Sequence, residues 1–155
     1  MSFRITGISA EPFQPLFGLS DEELRQRGAV RYVADACPGF PDRIELRDAE
    51  PGETLLLVNH THLDAETPYR ASHAIFVLEN AGERYDRIGE TPEAMRRRTL
   101  SLRAFDAEHM MVDGDLTEGH ESEVLIERFF RDPTVAYIHA HYARRGCYAA
   151  RIERA

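Results

Sequence analysis

Short apolar runs closed by turn-forming residues are the feature that most constrains the fold of this chain. Most of these runs have the length of a strand rather than of a helix. The strongest is 54–62, whose apolar residues face both ways, as expected of a central strand. Only 118–131 repeats apolar residues at helical spacing over several turns. The pattern predicts an α+β fold, mostly antiparallel sheet, with one longer and one or two short helices packed on it.

Caps and turn residues give the other predicted elements. Ser20 and Glu23 form a capping-box pattern that begins a short helix, which Gly28 ends. Pro92 indicates the start of a second short helix over 94–98. The other predicted strands are 3–8, 30–34, 43–47, 73–79, 99–105, 110–112, 134–142 and 147–153.

Three details of this prediction can be compared with a structure. The strand at 3–8 alternates weakly and is expected at a sheet edge. The Asp113-Gly114-Asp115 sequence is expected to form a tight turn, although its carboxylates could also bind a hard cation. The buried stripe of the longer helix is predicted to consist of Val124, Leu125, Ile126, Phe129 and Phe130.

Length and charge limit the kinds of partner. The 155 residues, 43% of them hydrophobic, fit a single domain over 1–155, and a homo-oligomer is not indicated. The net charge of -8 argues against a nucleic-acid partner, which requires clustered cations. No apolar run approaches the roughly 18 residues of a membrane span, and no signal peptide is evident. With only two cysteines, far apart, we expect reduced thiols and a cytoplasmic location.

The chain contains no lysine, so all 19 of its cationic side chains are arginine. A pyridoxal phosphate site needs a Schiff-base lysine, and a P-loop nucleotide site needs the lysine of its motif. Both kinds of site are therefore excluded.

Two His-x-His pairs, His60 with His62 and His139 with His141, end strand-like runs. Residues two apart on a strand point to the same face, so each pair offers two imidazoles side by side. If 54–62 and 73–79 pair antiparallel, His62 and His73 lie at the same end of the sheet. The second pair joins them if 134–142 runs parallel to 54–62.

Three interpretations of these histidines remain open. Three imidazoles and a carboxylate would suit zinc or iron, with His62, His73, His139 and His141 as candidate ligands. The same residues could line a metal-free polar pocket of an enzyme or a small-molecule binder. They could also be hydrogen-bonded residues of a sheet rim, in a non-catalytic interaction or structural protein.

A loop adds two candidates to this pocket, Tyr69 and Arg70. The guanidinium of Arg70 could hold the carboxylate or phosphate of a small anionic ligand in a bidentate manner. It could equally tie the loop to an acidic neighbour.

Cys147 is the last candidate, as a nucleophile beside histidine. The register of the predicted hairpin determines its direction. A four-residue loop pairs Tyr142 with Cys147 and turns the thiol away from His139 and His141. A three-residue loop pairs Ala143 with Cys147 and turns the thiol toward them.

Several stretches resemble an uncharacterised bacterial family called domain of unknown function 1203. They are 68–77, 103–106, 110–113, 137–141 and the pair Gly146-Cys147. The resemblance covers nearly the whole chain and implies no activity, cofactor or partner. In this family position 60 is often aromatic and position 142 often an amide. The resemblance therefore makes His60 the least secure candidate ligand and Tyr142 a departure from the pattern.

Overall fold

The strands of the chain form two antiparallel sheets in the computed structural model, which describes residues 2–155. The strands are β1 (Phe3–Thr6), β2 (Val30–Val33), β3 (Thr54–Leu63), β4 (Ala71–Leu78), β5 (Asp86–Ile88), β6 (Thr99–Phe105), β7 (Met111–Glu118), β8 (Tyr137–Tyr142) and β9 (Tyr148–Arg154). The large sheet has the order β5-β1-β9-β8-β6-β7, and the small sheet has the order β2-β3-β4. The predicted α+β class is confirmed.

Three short α-helices accompany the sheets among residues 2–155: α1 (Asp21–Gln26), α2 (Glu93–Arg96) and α3 (Ser122–Phe130). The predicted capping box of α1 is confirmed, because the Glu23 amide donates to Ser20 Oγ at 3.1 Å. Gly28 follows the helix with a φ of +74°, a value that favours glycine. None of the helices described is long and apolar enough to cross a membrane.

One face of the large sheet packs on α3. That face is apolar because alternate residues of β8, among them Ile138 and Ala140, point to it together with Leu100 and Leu102 of β6. The helix contributes Leu125, Ile126, Phe129 and Phe130. The prediction of Val124 in the buried stripe is wrong. Its side chain is 74% exposed because successive helical residues rotate by about 100°, which carries it off the stripe.

The small sheet has its own core, and β3 is its central strand, as predicted. On one face, Leu56 and Val58 of β3 pack with Ile75 and Val77 of β4. Phe13, from the 3₁₀ segment 11–16, covers them. The expected antiparallel pairing of 54–62 with 73–79 is confirmed, and His60 lies directly opposite His73.

Two predicted strands differ from the structure. The segment at 3–8 is not at an edge, since β1 lies between β5 and β9. Segment 43–47 forms no strand, and Leu46 has a φ of +55°. There the Asp42 carboxylate accepts the amides of Glu45 and Leu78, at 2.5 and 2.7 Å. These bonds replace those of a ladder.

Strand β7 continues through Asp113-Gly114-Asp115, where a turn was expected. It ends the order of the large sheet, so its outer edge has no strand partner among residues 2–155. The carboxylates of Asp113 and Asp115 accept the amides of Gly114 and Leu116, each at 2.8 Å. Both donors are thereby taken from any further strand, which is one way that proteins protect a sheet edge.

Replacing both aspartates, Asp113→Ala with Asp115→Ala, should promote self-association of the chain. The substitution frees two amide donors on an edge that also exposes Leu116, and it removes charges that keep copies apart. Sedimentation velocity over a range of concentrations measures the effect. The control is Glu123→Ala with Glu127→Ala, which removes the same charge from exposed positions on α3. Equal behaviour of the two double variants would show that the carboxylates do not protect the edge.

Candidate functional site

The second face of the large sheet is polar, and the end of β3 lies against it. We call this contact the seam. Its residues come from five strands of both sheets: His62, His73, Arg103, His139, His141 and Tyr148. The condition considered for joining the two pairs, that 134–142 runs parallel to 54–62 in one sheet, is not met, because the two strands lie in different sheets. His62 meets His139 and His141 by packing of one sheet on the other.

Strand β8 provides the two most deeply buried imidazoles. His139 and His141 are each 2% exposed and point away from α3, as does Tyr137. In the ladder, His139 lies between Arg103 of β6 and Arg151 of β9. The alternation of the strand therefore places two guanidinium-bearing residues beside a buried histidine.

His62 of β3 completes a compact set of aromatic rings. Its ring centroid lies 6.0 Å from that of His139 and 4.9 Å from that of His141, both nearly edge to face. It also stacks on Tyr148, with centroids 5.2 Å apart and an interplanar angle of 8°. The seam is thus an aromatic contact in which the rings of His62, His139 and His141 carry polar nitrogen atoms at their edges.

His60 and His73 lie at the border of the seam. His60 packs between Phe13 and Tyr148, with ring centroids at 6.1 and 6.0 Å. His73 is half-buried, and its Nδ1 lies 3.0 Å from the carbonyl oxygen of Ala74. Since a carbonyl only accepts, Nδ1 of His73 carries the proton and donates it.

The imidazoles of the seam differ in their hydrogen bonds. His141 Nδ1 donates to the carbonyl of Gly146 at 2.8 Å. The Nδ1 atoms of His62 and His139 are buried and have no partner among residues 2–155. Buried polar atoms without a partner are uncommon in folded proteins, so these two nitrogens mark an unusual site.

Burial and neighbouring positive charge both favour neutral imidazoles here. Burial is the main cause that lowers the pKa of His62 to about 4, of His139 to about 2 and of His141 to about 3. Arg103 and the neighbouring histidines lower all three further. No carboxylate contributes to these shifts within the described chain.

Arg103 is the one seam residue with a permanent charge. Its side chain is half-buried, and burial lowers its pKa. Nε donates to Ser101 Oγ at 3.3 Å, and no carboxylate of residues 2–155 pairs with the guanidinium. Sequence reasoning missed this residue. The signal was an arginine at a polar-facing position of the alternating strand 99–105.

Three predicted pocket residues lie outside the seam. The Arg70 guanidinium donates to Asp64 Oδ1 at 2.6 and 3.1 Å, which is the acidic neighbour considered as an alternative. Tyr69 is 36% exposed and packs edge-on against Phe105. Neither contacts an imidazole of the seam through a hydrogen bond.

Cys147 also points elsewhere. The Tyr142 amide donates to the Cys147 carbonyl at 2.9 Å, as the four-residue loop requires. The thiol lies in the core under α3, away from His139 and His141, with Arg43 Nη2 at 3.0 Å from Sγ. The structure thus contradicts the alternative in which Cys147 acts beside these histidines.

Metal binding was expected as one interpretation of four histidines. Residues 2–155 contain no group of three or more His, Cys, Asp or Glu side chains arranged to hold a metal ion. The nearly edge-to-face rings explain this, because the edge of one imidazole points to the face of another and not to a shared point.

Comparison with protein families gives a match over most of the chain. Residues 39–154 match the family described as "Protein of unknown function (DUF1203)". Every residue of the seam lies within this stretch. No curated protein and no solved structure matches the chain.

Protonation of the buried imidazoles should make stability depend on pH. Their pKa is lower in the folded chain than the usual value near 6.5, so only the unfolded chain takes up protons as the pH falls below about 6.5. Stability is lost on that descent, by about 1.4 kcal/mol per pH unit for each such histidine. His139→Phe should therefore reduce the slope by about this amount between about pH 6 and pH 4.5.

Urea unfolding at a series of pH values measures that slope. His120→Gln is the control, because the His120 side chain is 59% exposed and its replacement should leave the slope unchanged. An unaltered slope for His139→Phe would mean that this imidazole is not held neutral by the fold.

The two thiols should differ in reactivity toward a bulky disulfide reagent. Cys37 is exposed, whereas Cys147 is 9% exposed and lies in the core. Reaction of the native protein at Cys37 should quickly release one equivalent of the reagent's coloured thiolate. The second equivalent, from Cys147, should appear only in denaturant. In a Cys37→Ser variant the fast phase should disappear. A fast phase that persists there would contradict the burial of Cys147.

Proposed function

The chain belongs to the DUF1203 family of proteins of unknown function, and we propose that it binds a small anionic molecule at the seam, held by Arg103. The binding group of the ligand is a carboxylate or a phosphate. The proposed site is metal-free, and His62, His73 and His141 surround the bound group together with the arginine.

The observation that carries this proposal is the one-sided charge of the seam. The Arg103 guanidinium lies beside neutral imidazoles, and no acidic side chain among residues 2–155 forms an ion pair with it, whereas the neighbouring Arg151 pairs with Glu153 at 3.3 Å. The chain as a whole has 27 acidic and 19 basic side chains. Most other arginines with partly buried charges do have acidic partners, as Arg98 does with Asp48 at 2.6 Å. Arg43 is a buried exception, but its guanidinium donates to the carbonyls of Pro41 and Tyr148. Both terminal nitrogens of Arg103 lack a hydrogen-bond partner among residues 2–155, which supports a role that requires a free cation.

Removing an unpaired charge from water costs free energy. A half-buried guanidinium loses part of its hydration, and proteins usually offset such a loss with a counter-ion. A planar carboxylate or a phosphate fits the guanidinium fork with two parallel hydrogen bonds. A bound anion would supply the charge that the polypeptide lacks at this place.

The same arrangement supports an enzymatic role less directly. Imidazoles are the commonest side chains in general acid–base catalysis, and three of them would lie beside the bound molecule. Binding comes first in any such reaction, so the proposal is tested at the level of binding.

A second candidate function is structural, with the histidines serving only to pack the two sheets. The burial of His139 and His141 and the stacking of His62 on Tyr148 favour it. In that case Arg103 would bind no ligand, and the two candidates predict opposite results for one experiment.

Anion binding should stabilise the chain and should depend on Arg103. We expect propanoate, succinate or inorganic phosphate to raise the free energy of unfolding as its concentration exceeds the Kd. Arg103→Gln should weaken the binding on the order of tenfold to a hundredfold, as expected for the loss of a charged hydrogen-bonding group. Isothermal titration calorimetry measures the affinity, and glycerol serves as the uncharged comparison.

Two further variants sharpen this test. Arg70→Gln examines the arginine that the sequence indicated, and the proposal expects it to retain binding. Arg96→Gln removes an exposed charge from α2 and controls for the change in net charge. Equal weakening by Arg96→Gln and Arg103→Gln, or no binding of any anion to the unmodified chain, would favour the structural role.

A further inference from the structure

We infer that the ligand of the seam is an anion that also carries a hydroxyl group, as a hydroxycarboxylate does. This inference rests on the proposed function and names the chemical class of its ligand. It follows from which nitrogen of each imidazole carries the proton.

Two histidines, His73 and His141, each have an unprotonated ring nitrogen that can accept a hydrogen bond. The Nδ1–H of His141 donates to the Gly146 carbonyl, and that of His73 donates to the Ala74 carbonyl. A neutral imidazole has one N–H, so Nε2 of each ring is a lone-pair acceptor. Neither Nε2 has a hydrogen-bond donor among residues 2–155. Both atoms can therefore accept a hydrogen bond from an O–H or N–H group of a ligand.

Two other residues present donors. Among residues 2–155 Arg103 donates only through Nε, so both terminal nitrogens of its guanidinium are available to a ligand. His62 has a buried Nδ1 without a partner, and the tautomer that avoids a buried, unsatisfied N–H carries its proton on Nε2. Arg103 and His62 are thus the donors for the oxygens of an anion.

Donors and acceptors share the contact between the two sheets. The rings of His62 and His141 lie 4.9 Å apart, and Arg103 lies opposite His139 on the face that also carries His141. His73 lies opposite His60, two residues from His62 on the same side of the small sheet. Other charged or titratable groups around His141 are His139 on the same strand and Tyr148 on β9. A ligand that satisfies the whole set needs negatively charged oxygens and, beside them, a hydroxyl that donates.

An anion without a hydroxyl would satisfy only half of this set. Its oxygens would accept from Arg103 and His62 but would face the bare nitrogens of His141 and His73 with lone pairs. Sites that hydrogen-bond a substrate hydroxyl discriminate strongly against analogues that lack it, because their buried polar groups stay unpaired. The discrimination between matched pairs of anions is therefore the quantity to measure.

The experiment compares lactate with propanoate and malate with succinate by isothermal titration calorimetry at about pH 8. This pH lies above the usual imidazole pKa of about 6.5, so protonation of the buried His62 and His141 makes no contribution. Each pair has the same charge and differs by one hydroxyl group. We expect the hydroxyl-bearing member to bind at least about tenfold more tightly. The binding enthalpy should be the same in buffers that differ in ionisation enthalpy, because no proton is taken up on binding.

Variants of His73 and His141 test whether these acceptors cause the preference for the hydroxyl-bearing anion. His73→Phe and His141→Phe should each reduce the ratio of lactate to propanoate affinity while propanoate still binds. Because His141 is buried, the half-buried His73 provides the variant that tolerates substitution better. His60→Phe is the control, since its ring packs between Phe13 and Tyr148 and should leave the ratio unchanged.

Phosphate monoesters carry the same two features when singly protonated. The affinities of monomethyl phosphate and dimethyl phosphate at about pH 6 are compared to test whether the hydroxyl belongs to a phosphate rather than to a hydroxycarboxylate. A preference for monomethyl phosphate over both lactate and dimethyl phosphate would assign the hydroxyl to a phosphate and overturn the hydroxycarboxylate.

Failure of this inference differs from failure of the proposed function. If lactate and propanoate bind equally, and both are lost in Arg103→Gln, the seam binds anions but does not select a hydroxyl. Tight propanoate binding with uptake of a proton would likewise overturn it, since an imidazole would then be the donor. If neither anion binds, the proposed function fails and this inference falls with it.

Discussion

Strand β8 is buried on both sides, and the rest of the structure depends on how its residues alternate. All six of its residues are buried. One side is apolar and packs on α3, whereas the other side carries His139 and His141. A strand with a polar side can be buried only if a second layer covers that side. The end of β3 provides this cover, which brings His62 to the buried pair.

Packing the two sheets together at the seam costs free energy, because it buries polar nitrogen atoms at positions that apolar carbon atoms could also fill. The Nδ1 atoms of His73 and His141 have carbonyl partners, while those of His62 and His139 have none among residues 2–155. Ring stacking on Tyr148 offsets part of this cost. Polar groups that weaken a core are often those that function requires, and the free guanidinium of Arg103 beside them is consistent with that reasoning.

Much of the fold could be predicted because its signals are local. The capping box at Ser20, the strand at 99–105 and the hairpin of β8 and β9 each depend on neighbouring residues in the chain. The errors arose where distant contacts override local preference. Asp113-Gly114-Asp115 has turn residues but extends along β6, since the ladder satisfies its backbone. The segment 43–47 looks like a strand but bends so that the Asp42 carboxylate replaces ladder bonds.

By itself, the sequence determined which strands carry imidazoles and on which side they lie, because alternation is a property of the extended backbone. It also determined that no lysine side chain can act beside these imidazoles, because the chain contains none. Only the tertiary structure decided that two separate sheets bring His62 to His139 and His141, that Arg70 is engaged by Asp64, and that Arg103 has no acidic partner among residues 2–155. Such facts depend on which faces pack together, and packing between layers involves residues far apart in the chain that no local pattern relates.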